Sequence, residues 1–584
     1  MNKYTTYHNY DLNPHKEIKG AGSPAYKGYE SILKEISQLI QSKKRLFVFD
    51  FYPGVDKQEV LEHLKSLQPE LLIDIEDCAY TGEELTTLFY DNLTEDRVFG
   101  VMTHKNLIDC FDKTKLEKVQ DELKHAQDKI TFIFGTGAGL VTSGDVYFYF
   151  DLCRWEIQLR YRKGMPNWRC ENYEAPILSK YKRGFFVEWR IADRYKKKQF
   201  DKINYLIDTN IPNQPKMITG DAFRYALNQI SEEPFRVQPY FDPGVWGGQW
   251  MKEVFGLDQT AKNYAWSFDG VPEENSLRLL FDDIFIDIPC IDLVLYRPQK
   301  LLGEKVHARF GAEFPIRFDL LDTMGGENLS LQVHPLTEYI QETFGMHYTQ
   351  DESYYILDTD PSEDTFVYLG LKEGIDQAKM AHDLREAENG SIAFPAKEYI
   401  NCFPVKKHDH ILIPAGTIHC SGKNTMVLEI SATPYIFTFK LWDWDRLGLD
   451  GLPRPVHIEH GLQNIQWDRT TSWIEQNLIH QSELCYETKN IRIERTGLHE
   501  REFIDTYRYT FSSTIECTCK DSVNVLNLVD GAQVTIFSPT NQFDPFELHF
   551  AETVIIPASV GTYGMKPSGI STGKAVMVIT ASVK

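Results

Sequence analysis

Leu329-Ser330-Leu331-Gln332-Val333-His334-Pro335 is the stretch that decides how this chain is read. Apolar residues alternate with Gln332 and His334, so the segment predicts a β-strand with both polar side chains on one face. A neutral imidazole beside an amide oxygen makes half of a divalent-metal site. On its own, a His-Pro pair closing a strand is an ordinary strand end. Two later residues change that reading. Glu352 opens the apolar run Ser353-Tyr354-Tyr355-Ile356-Leu357 and offers a carboxylate. His419 closes Ile413-Pro414-Ala415-Gly416-Thr417-Ile418-His419, where a Pro/Gly turn aims the next strand. Gln332, His334, Glu352 and His419 are therefore expected to form one ligand set on the strands of one barrel.

At 584 residues the chain is too long for a single hydrophobic core. Its formal net charge of -22 argues against a general nucleic-acid or anionic-membrane surface, so neither kind of partner is expected. A phosphorylated substrate would need a local basic pocket inside an acidic protein. The start, Met1 to His8, lacks the apolar core of a signal peptide, and no run of apolar residues is long enough to span a bilayer. The ten cysteines include no Cys-x-x-Cys pair, a pattern of free thiols that fits a cytoplasmic protein.

Residues 1–212 read as a first, α/β domain. Arg45 to Phe51 predicts a strand, Lys57 to Leu67 a helix, Leu71 to Ile75 a strand, Leu116 to Gln127 a helix and Lys129 to Phe134 a strand. This alternation implies a parallel sheet. The turn Phe51 to Gln58 lies where a phosphate-binding loop would, giving the domain a P-loop-like look, but it lacks Gly-x-x-x-x-Gly-Lys-Ser/Thr. Gly135-Thr136-Gly137-Ala138-Gly139 follows a strand but precedes further strand, without the helix a dinucleotide loop requires. The domain is expected to be non-catalytic. Asp208 to Pro215 is the linker candidate. Residues 213–480 then form the ligand-bearing domain, with a charged helical insertion at 373–390, and 481–584 are again β-rich. There Ile555 to Tyr563 echoes the turn before His419, but five residues beyond the proline stands Thr562. The second copy has lost its ligand, so one metal per chain is expected.

From about residue 235 onward the chain resembles the type I mannose-6-phosphate isomerases, which are zinc-dependent cupins. The family's Gln-x-His-Pro strand is matched by Gln332 to Pro335, its Glu-x-Trp/Tyr-Tyr segment by Glu352 to Tyr355, and its Pro-Ala-Gly-Thr-x-His turn by Pro414 to His419. Trp442-Asp443-Trp444-Asp445-Arg446 is close to its Tyr-Asp-Trp-x-Arg element. Val245 to Gly248 and Arg454 to His460 add support. The protein is thus read as multidomain: the α/β domain read from residues 1–212 is then followed, as the resemblance implies, by a double cupin of jelly-roll barrels. The resemblance also implies Zn²⁺ as cofactor, although nitrogen and oxygen ligands admit other divalent metals.

The activity it implies is aldose–ketose isomerisation of mannose 6-phosphate and fructose 6-phosphate through a cis-enediol. Arg446 is placed in the catalytic cleft, where its fork suits phosphate oxygens or an enediolate. Lys440 stands where the family often has Arg. Asp443 is a candidate for orienting Arg446 or moving a proton. One departure stands out: the family's Phe-Pro-Leu-Leu-x-Lys-Phe is here Phe314-Pro315-Ile316-Arg317-Phe318-Asp319-Leu320, with Asp319 at the Lys position. Arg317, two residues away on the same strand face, is the candidate replacement for the lost charge in substrate binding. The alternatives are a cupin isomerase or epimerase acting on a related sugar, and a non-catalytic sugar-phosphate sensor with the α/β domain as its output.

Overall fold

The computed structural model describes residues 7–22, 24–432, 437–449, 451–497 and 499–584. Met1 to Thr6, part of the stretch read above as too polar for a leader, lie outside them. The chain forms two compact units, each assembled from separate segments. One gathers His15–Ser231 and Glu273–Arg297; the other gathers Met1–Pro14, Glu232–Pro272 and Pro298–Lys584.

The first unit is built on a seven-stranded sheet. Five of its strands run parallel: Leu46–Phe51, Leu71–Asp74, Thr131–Gly135, Val146–Asp151 and Tyr205–Asp208. Numbered in chain order, they lie across the sheet as 2-3-1-4-5. Val146–Asp151 is buried along its whole length, as parallel strands covered on both faces must be. Phe47, Phe49, Phe132, Phe134, Phe148 and Phe150 fill one core. The stretch expected to be a linker is the turn of a hairpin instead: Tyr205–Asp208 pairs antiparallel with Lys216–Thr219. Pro212 and Pro215 sit in that turn, where no ladder N–H is needed. Residues 273–297 return to this unit as the hairpin Ser276–Phe281 and Ile284–Pro289. Asp292, just beyond it, is buried against Lys196.

In the glycine-rich loop after Thr131–Gly135, the N–H groups of Gly137 and Gly139 donate to Asp50 at 2.9 and 3.0 Å. That of Thr136 donates to Glu76 at 3.0 Å. Lys57, after the first strand, is paired with Asp74 and Glu76. The donors a phosphate would use are thus taken by the protein's own carboxylates.

The second unit holds two antiparallel two-sheet assemblies. In the first, Glu352–Thr359 lies in a six-stranded sheet between His410–Ile413 and Thr425–Ser431, followed by Arg317–Asp322, Trp266–Gly270 and Tyr240–Asp242. The partner sheet orders Ile400–Pro404, Phe366–Leu371, His419–Ser421, Leu331–Val333 and Phe439–Trp442. Within the expected insertion at 373–390, the helix Gln377–Glu388 starts at Asp376, whose side chain accepts the N–H of Lys379. In the second assembly, sheets of six and four strands enclose Leu526, Leu528, Val534, Ile536, Val554, Ile556, Met565 and Val578. Thr562, five residues beyond Pro557 as His419 is beyond Pro414, is exposed there. Among the described residues no helix is long and apolar enough to cross a membrane.

Candidate metal centre

Strand register brings the expected ligands together. In the five-stranded sheet Gln332 sits opposite His419 on one neighbour and opposite Lys440 on the other. Directly opposed residues point to the same face, so these three line one wall. Glu352 comes from the other sheet. His334, Glu352 and His419 are fully buried and bring one ligand atom each to within 4.8 Å of one another. His334 Nε2 lies 3.0 Å from Glu352 Oε2, and His419 Nε2 lies 2.9 Å from Glu352 Oε1. The Gln332 amide is 3.2 Å from His419 Nε2. The far nitrogens are held by main-chain carbonyls: His334 Nδ1 faces Phe437 O at 3.2 Å and His419 Nδ1 faces Thr417 O at 2.9 Å. With Nδ1 held this way, both Nε2 atoms point at the Glu352 carboxylate, where each can donate a proton to it or, deprotonated, offer a lone pair to a cation.

The turn that aims His419 depends on Gly416. Its φ of 85° is left-handed, and a Cβ there would come within 2.9 Å of Asn464 O and the Leu336 side chain. Its N–H donates to His334 O at 2.9 Å, tying the turn to the second histidine. Arg469 holds the same turn through the carbonyls of Pro414 and Ala415.

The residues fit a divalent cation. The ligand atoms of His334, Glu352 and His419 converge within 4.8 Å in a fully buried pocket, and with the Gln332 amide the donors are imidazole nitrogen, carboxylate and amide, with no thiolate. Burial alone would raise the Glu352 carboxyl, but His334 and His419 outweigh it and hold the group well below the usual carboxylate range.

Lys440 lies on the same wall. Burial pushes its amine down to about 7, with Arg454 and Arg446 adding to the fall and Asp443 opposing it. Asp443 gathers the other candidates. Its carboxylate accepts from Ser330 Oγ at 2.9 Å, faces Arg454 Nε at 2.9 Å and pairs with Arg446. Arg446 also donates to Asn328 O at 2.7 Å. Just before it, Trp444 and Asp445 both have φ of 56°, two successive left-handed non-glycine residues. Such backbone is uncommon and strained, and it turns the chain to bring Arg446 back over Asp443.

Arg317 is buried, with Nε 2.6 Å from Asp319 Oδ2 and Nη2 2.5 Å from Glu429 Oε1. Burial raises Asp319 to about 6 against the pull of Arg317. Burial and the charge of Glu352 raise Glu429 to about 8. Glu429 and Gln350 stand in this wall and were missed in the sequence. A signal existed: Glu429 is a carboxylate inside Thr425–Ser431, a strand buried at every position. Among the aromatic residues near the site, Tyr354 is buried with its ring edge-on to His419 at 5.8 Å. Trp442 and Trp444 pack on each other at 4.4 Å.

Two antiparallel sheets thus bring together a buried His–Glu–His set, with an amide beside it, that could hold a metal ion. Comparison with known proteins places the chain more closely. It is similar to the mannose-6-phosphate isomerase of Streptococcus mutans, 24% identical over 291 residues, covering 49% of this chain and 81% of that protein. It is also similar to the mannose-6-phosphate isomerase ManA of Bacillus subtilis, 22% identical over 259 residues, covering 44% and 74%. Among solved structures, the mannose 6-phosphate isomerase of Bacillus subtilis aligns over 60% of this chain and 99% of its own, with 18% identity and a TM-score of 0.47. Residues 28–232 match a family described as a domain of unknown function, DUF8485.

Proposed function

We propose that this protein is a metal-dependent aldose–ketose isomerase of the cupin type, interconverting mannose 6-phosphate and fructose 6-phosphate through a cis-enediol. The convergence of Gln332, His334, Glu352 and His419 carries the reading, and the similarity to mannose-6-phosphate isomerases supports it. Zn²⁺ suits this donor set, at one ion per chain. When bound, a divalent cation supplies polarisation of the substrate oxygens. The chain's own residues do the rest. Lys440, with its amine near 7, is suited to holding or releasing a proton at Nζ near the reacting carbons. Arg446 and Arg454, both tied to Asp443, present guanidinium groups for phosphate or enediolate oxygens. Asp443 fixes their direction.

A second reading has its own observation. Arg317, the candidate replacement for the family's Lys, faces Asp319 and Glu429, so this wall carries carboxylates where a phosphate contact was expected. That favours a related sugar, isomerised or epimerised, without phosphate at this end. For the α/β unit we propose a P-loop-like fold without phosphate binding. Its 2-3-1-4-5 strand order supports the fold, and the use of the loop N–H groups by Asp50 and Glu76 supports the loss.

A coupled isomerase assay with metal analysis on the same sample tests the first reading. Turnover of mannose 6-phosphate should fall with metal content; full activity in chelated, metal-free protein would overturn it. Free mannose and other hexose phosphates, assayed alongside, separate the two readings.

A further inference from the structure

Behind Glu352 runs a chain of buried polar contacts that the isomerase reading leaves unused. Gln350, two residues before Glu352, is 2% exposed. Its Nε2 donates to Glu352 Oε2 at 2.9 Å and reaches Glu429 Oε1 at 3.4 Å. Glu429 also accepts from Ser431 Oγ at 2.9 Å and from Arg317, whose Nε faces Asp319. Register assembles the group: Glu429 stands opposite Tyr354 on one neighbouring strand and opposite Asp319 on the other, and Ser431 stands opposite Glu352 and Arg317. Three carboxylates, Glu352, Glu429 and Asp319, thus share one guanidinium and one amide.

The orientation of that amide is informative. Gln350 Oε1 is buried with no hydrogen-bond partner, so the side chain is held only at its N–H end. A buried acceptor left unpaired is costly. Turning the amide round would set its oxygen 2.9 Å from the ionised Glu352 carboxylate, which is worse. Its N–H end is therefore dedicated to Glu352 and Glu429. A donor on the outer side of a ligating carboxylate fixes that ligand's direction and tunes metal affinity.

We propose that Gln350 is a positioning residue for the metal's carboxylate ligand, and that Arg317 acts on it through Glu429. This rests on the metal reading of the preceding section. The test uses the full chain loaded with Zn²⁺, with metal affinity measured by chelator competition, and the Co²⁺-substituted protein, with the visible absorption of cobalt reporting ligand geometry. Gln350→Met keeps length and removes the donor. It should bind metal about 10- to 100-fold more weakly and change the cobalt spectrum, while metal-free protein melts as the wild type does. Arg317→Lys, which keeps the charge but loses the two-pronged hold, should give a smaller weakening of the same sign. If Gln350→Met does not fold, Arg317→Lys carries the test. Wild-type affinity and an unchanged cobalt spectrum in the folded variants would overturn the inference alone. Failure of the wild type itself to bind metal would overturn the metal reading and the inference with it.

Discussion

The two antiparallel assemblies of the second unit are built alike and filled differently. The first sets His334, Glu352, His419, Glu429, Arg317 and Asp319 in its interior, and the second is packed with Leu526, Leu528, Val534, Ile536 and Val554. Both carry a proline turn ahead of the decisive strand. In the first the turn delivers His419 to a buried face; in the second it delivers exposed Thr562. A polar interior is stable only where each group finds a partner, whereas an apolar one is stabilised by burial itself. The difference teaches that one assembly spends its interior on paired ionisable groups and the other on apolar packing.

The sharpest way to break this comparison is to remove a ligand from the first barrel. His419→Ala should lose bound metal and lower turnover roughly a thousandfold, equivalent to several kcal/mol of lost stabilisation, as read by metal analysis and kcat/KM together. The matching cut in the second barrel, Leu526→Ala, should cost about 2–5 kcal/mol of stability in denaturant titration and leave the metal dissociation constant unchanged. A shift in metal affinity there would mean the two interiors are not independent.

Acid should distinguish the barrels more gently. His410, buried against Ser353 Oγ in the first barrel, is pushed down to about 3 by burial, with Arg508 adding to it. Its folded value lies below its unfolded one, so between about 6.5 and 3 the unfolded chain binds a proton the native barrel refuses. Stability should then fall as pH drops, by at most about 1.4 kcal/mol per unit from this group. Amide exchange should show the Glu352–Thr359 and His410–Ile413 strands opening first, and His410→Asn should remove that part of the slope. The smallest effect is expected from Thr562→His. It restores the sequence echo in the second assembly but places the imidazole at an exposed position, so metal content, measured beside the wild type, should not rise.

Parts of this were plain in the residues. The alternation around Gln332 and His334, the Pro-Ala-Gly-Thr-x-His turn and the absence of a histidine at Thr562 are local signals, set by the two-residue period of a strand and by the freedom of Gly416. The alternating strands and helices of residues 46–151 were legible because continuous apolar runs mark strands buried on both faces and charged amphipathic stretches mark the helices between them. The wall behind Glu352 was not. Asp319 and Glu429 become neighbours only through strand register, and Gln350 joins them only through its side-chain contacts with Glu352 and Glu429. Nor could chain order reveal that Glu273–Arg297 returns to the α/β unit, because the pairing of Asp292 with Lys196 is made across nearly a hundred residues.

By itself, then, the sequence determined which side chains stand ready for a metal, since periodicity and turn chemistry act over a few residues. Only the tertiary structure decided what those side chains face. Arg317 looks like a free cation in the sequence and is a clamp between Asp319 and Glu429 in the fold, because hydrogen bonds and charge pairs depend on distances that strand pairing alone sets.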